Sequence, residues 1–296
     1  GLYDNVHWCL PNLPNVVTIP QHFRNHGYRV AGAGKIFHHT AGNHPPNQWD
    51  NFRRLTFQED PWFRGVKLNY PWSKHTPYPS GFPFSGVKGL GHENDWGPLP
   101  IEDHQYDDAA TTDFAVEFLS QRTGDSNAPF FLACGLFRPH LPWYVPKKYF
   151  DMFPLEDIRL PEVIHDDSAD LGARAKELIS RGGDYHAHVV KAGKWKEAVQ
   201  GYLASIAFAD AMVGELLQAL KNSEYADNTI VVIWSDHGWQ LGEKRHWRKF
   251  ALWENVIRTV LMIKVPSGTR SMPNGSAQGK VVTDLTSLLD IYPTLV

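Results

Sequence analysis

The chain has 296 residues, enough for one large domain or two modest ones with a substantial buried core. Lys and Arg total 29 against 32 Asp and Glu, a formal charge of −3, which argues against nucleic acid as the main partner because phosphate binding wants a basic excess. Apolar residues at 42% and charged residues at 21% exclude a disordered chain. The longest near-apolar run, Ala128 to Phe137, is too short for a bilayer, so no membrane span is expected. The 11 Trp and 15 His suit either a polar ligand surface or an aromatic core with braced loops. Two cysteines, Cys9 and Cys134, cannot build a disulfide framework or a four-cysteine zinc site.

Thr18-Ile19-Pro20-Gln21 predicts a helix start, with Thr18 as N-cap, Pro20 in the first turn and Gln21 as capping-box partner. Gly27 should stop that helix, and Tyr28 to Gly32 reads as a strand followed by the loop Gly34-Lys35-Ile36-Phe37-His38. From about 40 to 106 there is little periodicity. This stretch holds Trp49, Trp62, Trp72 and Trp96 among many Pro and Gly, and is expected to be a braced insertion walling a pocket. Asp108 to Gln121 has helical spacing. Pro129 to Leu136 is a continuous apolar run that predicts a doubly buried strand, with Cys134 buried in it, ending at Arg138-Pro139-His140-Leu141-Pro142. A long helix should place Val199, Leu203, Ile206, Val213, Leu217 and Leu220 on one stripe, interrupted by Asp210, which would then need a partner. Thr229 to Trp234 predicts another buried strand, Val260 to Val265 a further one, and Leu285 to Leu295 the beginning of a helix. Helices alternating with apolar strands give an α/β fold with a largely parallel central sheet flanked by helices.

Several chemistries can be set aside. Gly32-Ala33-Gly34-Lys35 lacks the earlier Gly and following Ser/Thr of a phosphate loop, and there is no His-Glu-x-x-His or Gly-x-Ser-x-Gly. His186 and His188, two apart, could share a strand face but have no third ligand and read as surface residues. Three strand-end loops remain: Lys35 with His38, His140, and Asp236 with His237, with Lys249 downstream. Parallel strands would gather such loops at one sheet edge. An Asp-His pair can ligate a divalent ion, lysines can hold an anion and histidines can move protons, so the set points to metal-assisted chemistry on an anionic ester.

Gly34-Lys35-Ile36-Phe37-His38, Phe130-Phe131-Leu132-Ala133 with Arg138-Pro139-His140-Leu141-Pro142, and Ser235-Asp236-His237-Gly238-Trp239-Gln240-Leu241-Gly242-Glu243 through Trp247-Arg248-Lys249 resemble the type I sulfatases of the alkaline phosphatase superfamily. Lys-x-x-His and Asp-His favour the iduronate-2-sulfatase-like branch. The resemblance implies an alkaline-phosphatase-like α/β sandwich that hydrolyses sulfate esters, with a sulfated carbohydrate as the expected substrate. The carbohydrate is favoured over choline sulfate or an aryl sulfate by the Trp-rich insertion, because sugar ring faces stack on aromatics. The resemblance implies Asp236 and His237 as calcium ligands, Lys35 and Lys249 as holders of the sulfate oxygens, His140 as contact to the bridging oxygen and proton donor to the leaving alcohol, and His38 as a base toward the nucleophile. It also implies a periplasmic, secreted or lysosomal location.

The family's nucleophile is a formylglycine made within Cys-x-Pro-Ser-Arg, and two further metal-binding Asp accompany it; this sequence has neither. Cys9-Leu10-Pro11-Asn12-Leu13 lacks the Ser and Arg and falls after the expected place, so Cys9 is read as coincidental. The chain is therefore expected to be the central part of a sulfatase catalytic domain. The formylglycine segment would lie upstream of Gly1 or on a companion chain, the C-terminal subdomain would be elsewhere, and the 296 residues alone would be inactive. The alternatives are a phosphodiesterase or phosphonate hydrolase of the same superfamily and a noncatalytic protein that binds sulfated glycans.

Overall fold

In the computed structural model the described residues are 13, 15–37, 46–53, 83–90, 94–121, 128–164, 166–180 and 183–296. In chain order the regular elements are α1 (Ile19–Asn25), β1 (Arg29–Gly34), β2 (Asn51–Arg53), β3 (Trp96–Leu99), α2 (Asp107–Ser120), β4 (Phe130–Gly135), β5 (Trp143–Pro146), α3 (Ala173–Ile179), α4 (Tyr185–Lys191), α5 (Trp195–Lys221), β6 (Val231–Trp234), β7 (Gln240–Leu241), β8 (Trp247–Arg248) and β9 (Leu261–Lys264), with single helical turns between them. They fall into two units. The first comprises Gly1–Gly86, Gly91–Ile158 and Gln200–Ser223; the second comprises Val87–Leu90, Arg159–Val199 and Glu224–Val296.

In the first unit, Thr18 caps α1 by accepting the Gln21 N–H at 3.4 Å, with Pro20 in the first turn. Gly27, at φ +80°, turns the chain out of the helix. β1 follows and is buried from Val30 to Gly34. It pairs in parallel with β4 on one side and with β2 on the other, giving the order β2-β1-β4. β2 comes from the segment expected to be irregular, as does β3, which pairs in parallel with β5. Strands of three and four residues carry no readable period, so only their tertiary partners reveal them.

That segment also corrects the reading of its tryptophans. Trp49 is 5% exposed, packs against Phe52 and Phe131 at centroid distances of 4.8 and 6.5 Å, and lies over Gly32, where a Cβ would come within 2.4 Å of its ring. Trp96 is equally buried, beside Trp143. Both are core residues and not walls of a pocket. Trp62 and Trp72 lie outside the described residues.

The core of this unit joins Leu99, Tyr106, Tyr144, Val145, Tyr149 and Phe150 to Ala204, Phe208 and Met212 of α5. The buried stripe of α5 runs through Ala204, Phe208 and Met212, with Gly201 close against Trp96; of the predicted stripe Val199 and Leu220 are buried, whereas Ile206 and Leu217 are exposed. Aromatic neighbours fill the space over small residues, so in its middle the helix packs through Ala204 and Phe208 and not through its largest aliphatics. Asp210 is exposed, which removes the need for a buried partner. By length and composition the 27-residue α5 could cross a membrane, a reading the apolar-run argument missed. It gives Ala204, Phe208 and Met212 to this core, and 28% of its apolar window is buried. β4 is half-buried along its length, less than a strand covered on both faces.

In the second unit, β6 pairs antiparallel with β9, and β7 with β8. β6 is half-buried and its Trp234 is exposed, so it is not the fully buried strand expected. The expected C-terminal helix is a 3₁₀ turn, Leu288–Asp290, running into Ile291–Leu295. His186 and His188 sit on a helix, α4, and not on a strand. His186 is buried and accepts the Trp247 indole N–H at 3.2 Å; His188 is exposed. The loop from β7 to β8 holds Lys244 and Arg245 at φ 57° and 56°, and Arg248 follows at φ 80°. Such backbone costs a non-glycine residue of order 1–3 kcal/mol, so the surrounding packing must hold this hairpin in shape.

Candidate active site

Lys35 and His140 leave the ends of two neighbouring parallel strands, β1 and β4. At those ends Gly34 faces Gly135, and the Lys35 N–H donates to the Gly135 carbonyl at 2.7 Å. Neither glycine has room for a side chain. A Cβ on Gly34, which is also at φ +78°, would lie 2.1 Å from the Gly135 oxygen, and one on Gly135 would lie 2.4 Å from the Lys35 carbonyl. The close approach brings both loops to the same sheet edge, where open α/β sheets hold ligands.

The two candidate side chains both pack near the Phe137 ring. Lys35 Nζ lies 5.1 Å from its centroid, and the His140 ring 5.0 Å. His140 is fixed twice: its backbone N–H donates to the Phe137 carbonyl at 3.0 Å, and Nδ1 donates to the Leu141 carbonyl at 2.7 Å. That second bond assigns the proton to Nδ1 and leaves Nε2 as the nitrogen that can exchange a proton with a ligand.

Asp108, in the first turn of α2, holds this loop from behind. It is 1% exposed; Oδ1 accepts the Phe137 N–H at 2.6 Å and Oδ2 the Arg138 N–H at 3.0 Å. Arg138 is also buried, donates to the Tyr144 carbonyl at 3.2 Å and attracts the Asp108 carboxyl. Burial pushes the Asp108 carboxyl above the usual range, against the pull of Arg138 and the two N–H bonds. Sequence reading missed Asp108: Asp107 and Asp108 are both buried, and nothing in the pair says which of them accepts the Phe137 and Arg138 N–H groups. Cys134 is no nucleophile: burial, with Asp108 nearby, pushes its thiol up to about 12. Cys9 and His38 lie outside the described residues.

In the second unit, Asp236 and His237 follow β6 directly. Gly238 donates to the Val256 carbonyl at 2.6 Å, and a Cβ there would lie 2.0 Å from the Asn255 oxygen, so only glycine lets this turn dock. His237 Nδ1 donates to the Gly238 carbonyl at 2.9 Å, which leaves Nε2 as the ligand nitrogen, 3.6 Å from Asp236 Oδ2. A backbone acceptor behind the ring is the usual support of a metal-binding imidazole. Asp236 is well exposed. These two donors fit a divalent ion as part of a coordination shell; among the described residues no group of three or more His, Cys, Asp or Glu gathers at a metal-binding spacing. Lys249, half-buried, follows β8 in the same unit. The structure thus places Lys35 and His140 near one ring in the first unit, and Asp236 beside His237 in the second.

The Sulfatase family model matches residues 3–296, and the chain belongs to that family. It is similar to a sulfatase of Formosa agariphila, 36% identical over 287 residues that cover 95% of this chain and 52% of that protein. It is also similar to the iduronate 2-sulfatase of Mus musculus, 28% identical over 331 residues, 99% of this chain and 56% of that protein. Among solved structures it resembles the phosphonate monoester hydrolase SpPMH from Silicibacter pomeroyi, with a TM-score of 0.61 at 21% identity over 85% of this chain and 53% of that one. The fold is therefore the α/β fold of the alkaline phosphatase superfamily. The chain spans about half the length of the curated relatives it matches.

Proposed function

We propose that the protein hydrolyses sulfate esters, with a sulfated carbohydrate as substrate. Family membership supports the reaction class, and the names of the similar relatives support sulfate over phosphate. The observation that carries the reading is the placement of Lys35 and His140 around one ring at the end of two parallel strands. Lys35 would draw a sulfate oxygen and offset charge as the S–O bond breaks. His140, with Nδ1 committed to Leu141, would give the Nε2 proton to the departing alcohol oxygen. Lys249 would hold a second sulfate oxygen and His38 would serve as base toward the nucleophile, as in the resemblance.

Asp236 and His237 would hold the cation, taken to be calcium; when bound it would supply Lewis-acid polarisation of a sulfate oxygen. Histidine is an unusual partner for a hard, oxygen-seeking ion, so the ion's identity is part of the proposal. The nucleophile would be a formylglycine. By family alone, the protein would work outside the cytoplasm. The buried Trp49 and Trp96 lend no support to the carbohydrate, which rests on the relatives.

The test compares leaving groups. H140A should lose roughly 10²–10⁴-fold in kcat on a sugar sulfate, whose alcohol needs a proton, and far less on 4-nitrophenyl sulfate, whose phenolate leaves unaided. Equal losses on both would remove His140 from the proton-donor role. Faster turnover of a phosphonate monoester or phosphodiester than of any sulfate, choline sulfate included, would reject the sulfatase reading.

A further inference from the structure

We propose that the β7–β8 hairpin, which leads into Lys249, is an acid-released latch, docked by two buried imidazoles, His186 of α4 and its own His246, that hold it only while uncharged. Its bearing on turnover rests on reading Lys249 as a sulfate-binding residue; the latch itself does not. The hairpin carries Lys244, Arg245 and Arg248 at positive φ, so it keeps its shape only while its contacts outweigh that strain. Two of the contacts are indole bonds: Trp195 of α5 donates to the Leu241 carbonyl at 2.6 Å, and Trp247 of β8 donates to His186 Nδ1 at 3.2 Å. The His186 ring also meets Trp195 edge-on at 4.7 Å and lies against Gly242, where a Cβ would come within 3.1 Å of Nδ1. His246 Nδ1 donates to the Ile179 carbonyl at the end of α3, at 3.3 Å, and its ring stands edge-on to Trp253 at 5.7 Å.

Protonation undoes the fit of both rings. A proton on His186 Nδ1 would face the Trp247 N–H, donor against donor. A proton on His246 Nε2 would make an N–H at a buried nitrogen that no acceptor among the described residues reaches. Burial opposes the charged form of both rings. Around His186, Arg245 of the hairpin also opposes it and Asp184, the N-cap of α4, favours it, while α5 presents the uncharged Trp195. Around His246, the Ile179 carbonyl favours the charge and Arg248 of β8 opposes it, while Trp253 is uncharged. Both rings thus charge more readily once the hairpin has left its seat. Opening must gain as pH falls below 6.5, by up to about 10-fold per histidine for each pH unit until the lowered value is reached. Near neutral pH the latch keeps Lys249 in place, and acid frees the arm that carries it.

The experiment is amide hydrogen exchange at about pH 7.5 and 5.5, corrected for the intrinsic rate, on the native protein, on H186N and H246N, and on the double variant. Asparagine keeps a polar atom near the place of Nδ1 and does not titrate. In the native protein the amides of residues 240–248 should open up to about 100-fold more often at the lower pH, about 10-fold for each histidine, while those of β1 and β4 hold. Each single variant should keep about 10-fold, and the double variant should show no excess. No excess in the native hairpin, an equal excess in β1 and β4, or an undiminished excess in the double variant overturns the proposal. Should the variants fail to fold, the native measurement still decides, since a hairpin with no excess at pH 5.5 is not acid-released. K249A is the separate check: if it hydrolyses sulfate esters as the native protein does, the reading of Lys249 fails, whatever the exchange shows.

Discussion

The buried Asp108 carboxyl lends itself to a decisive substitution, Asp108→Asn. The change keeps shape and volume but replaces one acceptor oxygen by an NH₂ donor. In the structure both oxygens accept backbone N–H groups, at 2.6 and 3.0 Å, so one of the two bonds becomes a donor facing a donor. A hydrogen bond to a charged group contributes about 1.5–3 kcal/mol, and leaving a buried donor unsatisfied costs about 1–3 kcal/mol. Relief of the carboxyl's desolvation, the cause of its raised pKa, works the other way. The net expectation is a loss of about 2–4 kcal/mol, measured by urea unfolding with m unchanged. Buried Arg138 would lose its attracting partner, so R138M should be less costly in the D108N background than in the native one, with a coupling of at least about 1 kcal/mol. If D108N costs under about 1 kcal/mol, the carboxyl is held neutral, as its burial alone would favour, and the idea of a charged clamp beneath the His140 loop is wrong.

Gly34→Ala should cost at least about 2 kcal/mol, because φ +78° and a Cβ 2.1 Å from the Gly135 oxygen add strain to overlap; a urea midpoint equal to that of the native protein would contradict the close approach. Trp49→Ala should cost about 3–5 kcal/mol by the same measurement and leave KM for a sulfated sugar unchanged, whereas a raised KM at full stability would return Trp49 to a substrate surface. His186 and His246 are buried, and burial lowers both pKa values below the usual 6.5. The unfolded chain therefore binds more protons between the lowered values and 6.5, and stability must fall as pH drops through 6.5, by at most about 1.4 kcal/mol per pH unit for each histidine. Urea unfolding from about pH 7.5 to 5 should show this slope, and H186Q should flatten it; a slope of opposite sign would place the protonated rings in the native state.

What could be read in advance was local. Thr18, Pro20 and Gly27 mark out α1, and the apolar runs around Val30, Phe131 and Val232 locate β1, β4 and β6 to within about two residues. Once those strands are placed, Lys35, His140, Asp236 and His237 fall at strand ends without further help. What could not be read was tertiary. β2 and β3 exist because β1 and β5 offer them partners, which no short Pro- and Gly-rich stretch announces. The stripe of α5 that packs is the one opposite Tyr106 and Tyr149, a fact held by those rings and not by α5 itself. His186 looked like a surface residue because its Trp247 donor lies 61 positions away. Asp108 was invisible for a similar reason: the N–H groups that it accepts lie 29 and 30 positions away.

The facing glycines at the ends of β1 and β4 have a consequence for how the protein tolerates change. If β4 slipped by one residue along β1, Cys134 or Leu136 would take the place of Gly135, and its Cβ would run into the Lys35 backbone. The pair thus acts as a gauge that only one alignment passes. An insertion or deletion within β4 is checked at Gly135, before it can shift the spacing between Lys35 and His140. Mutational drift in the strand bodies can then accumulate without pulling the two loops out of step.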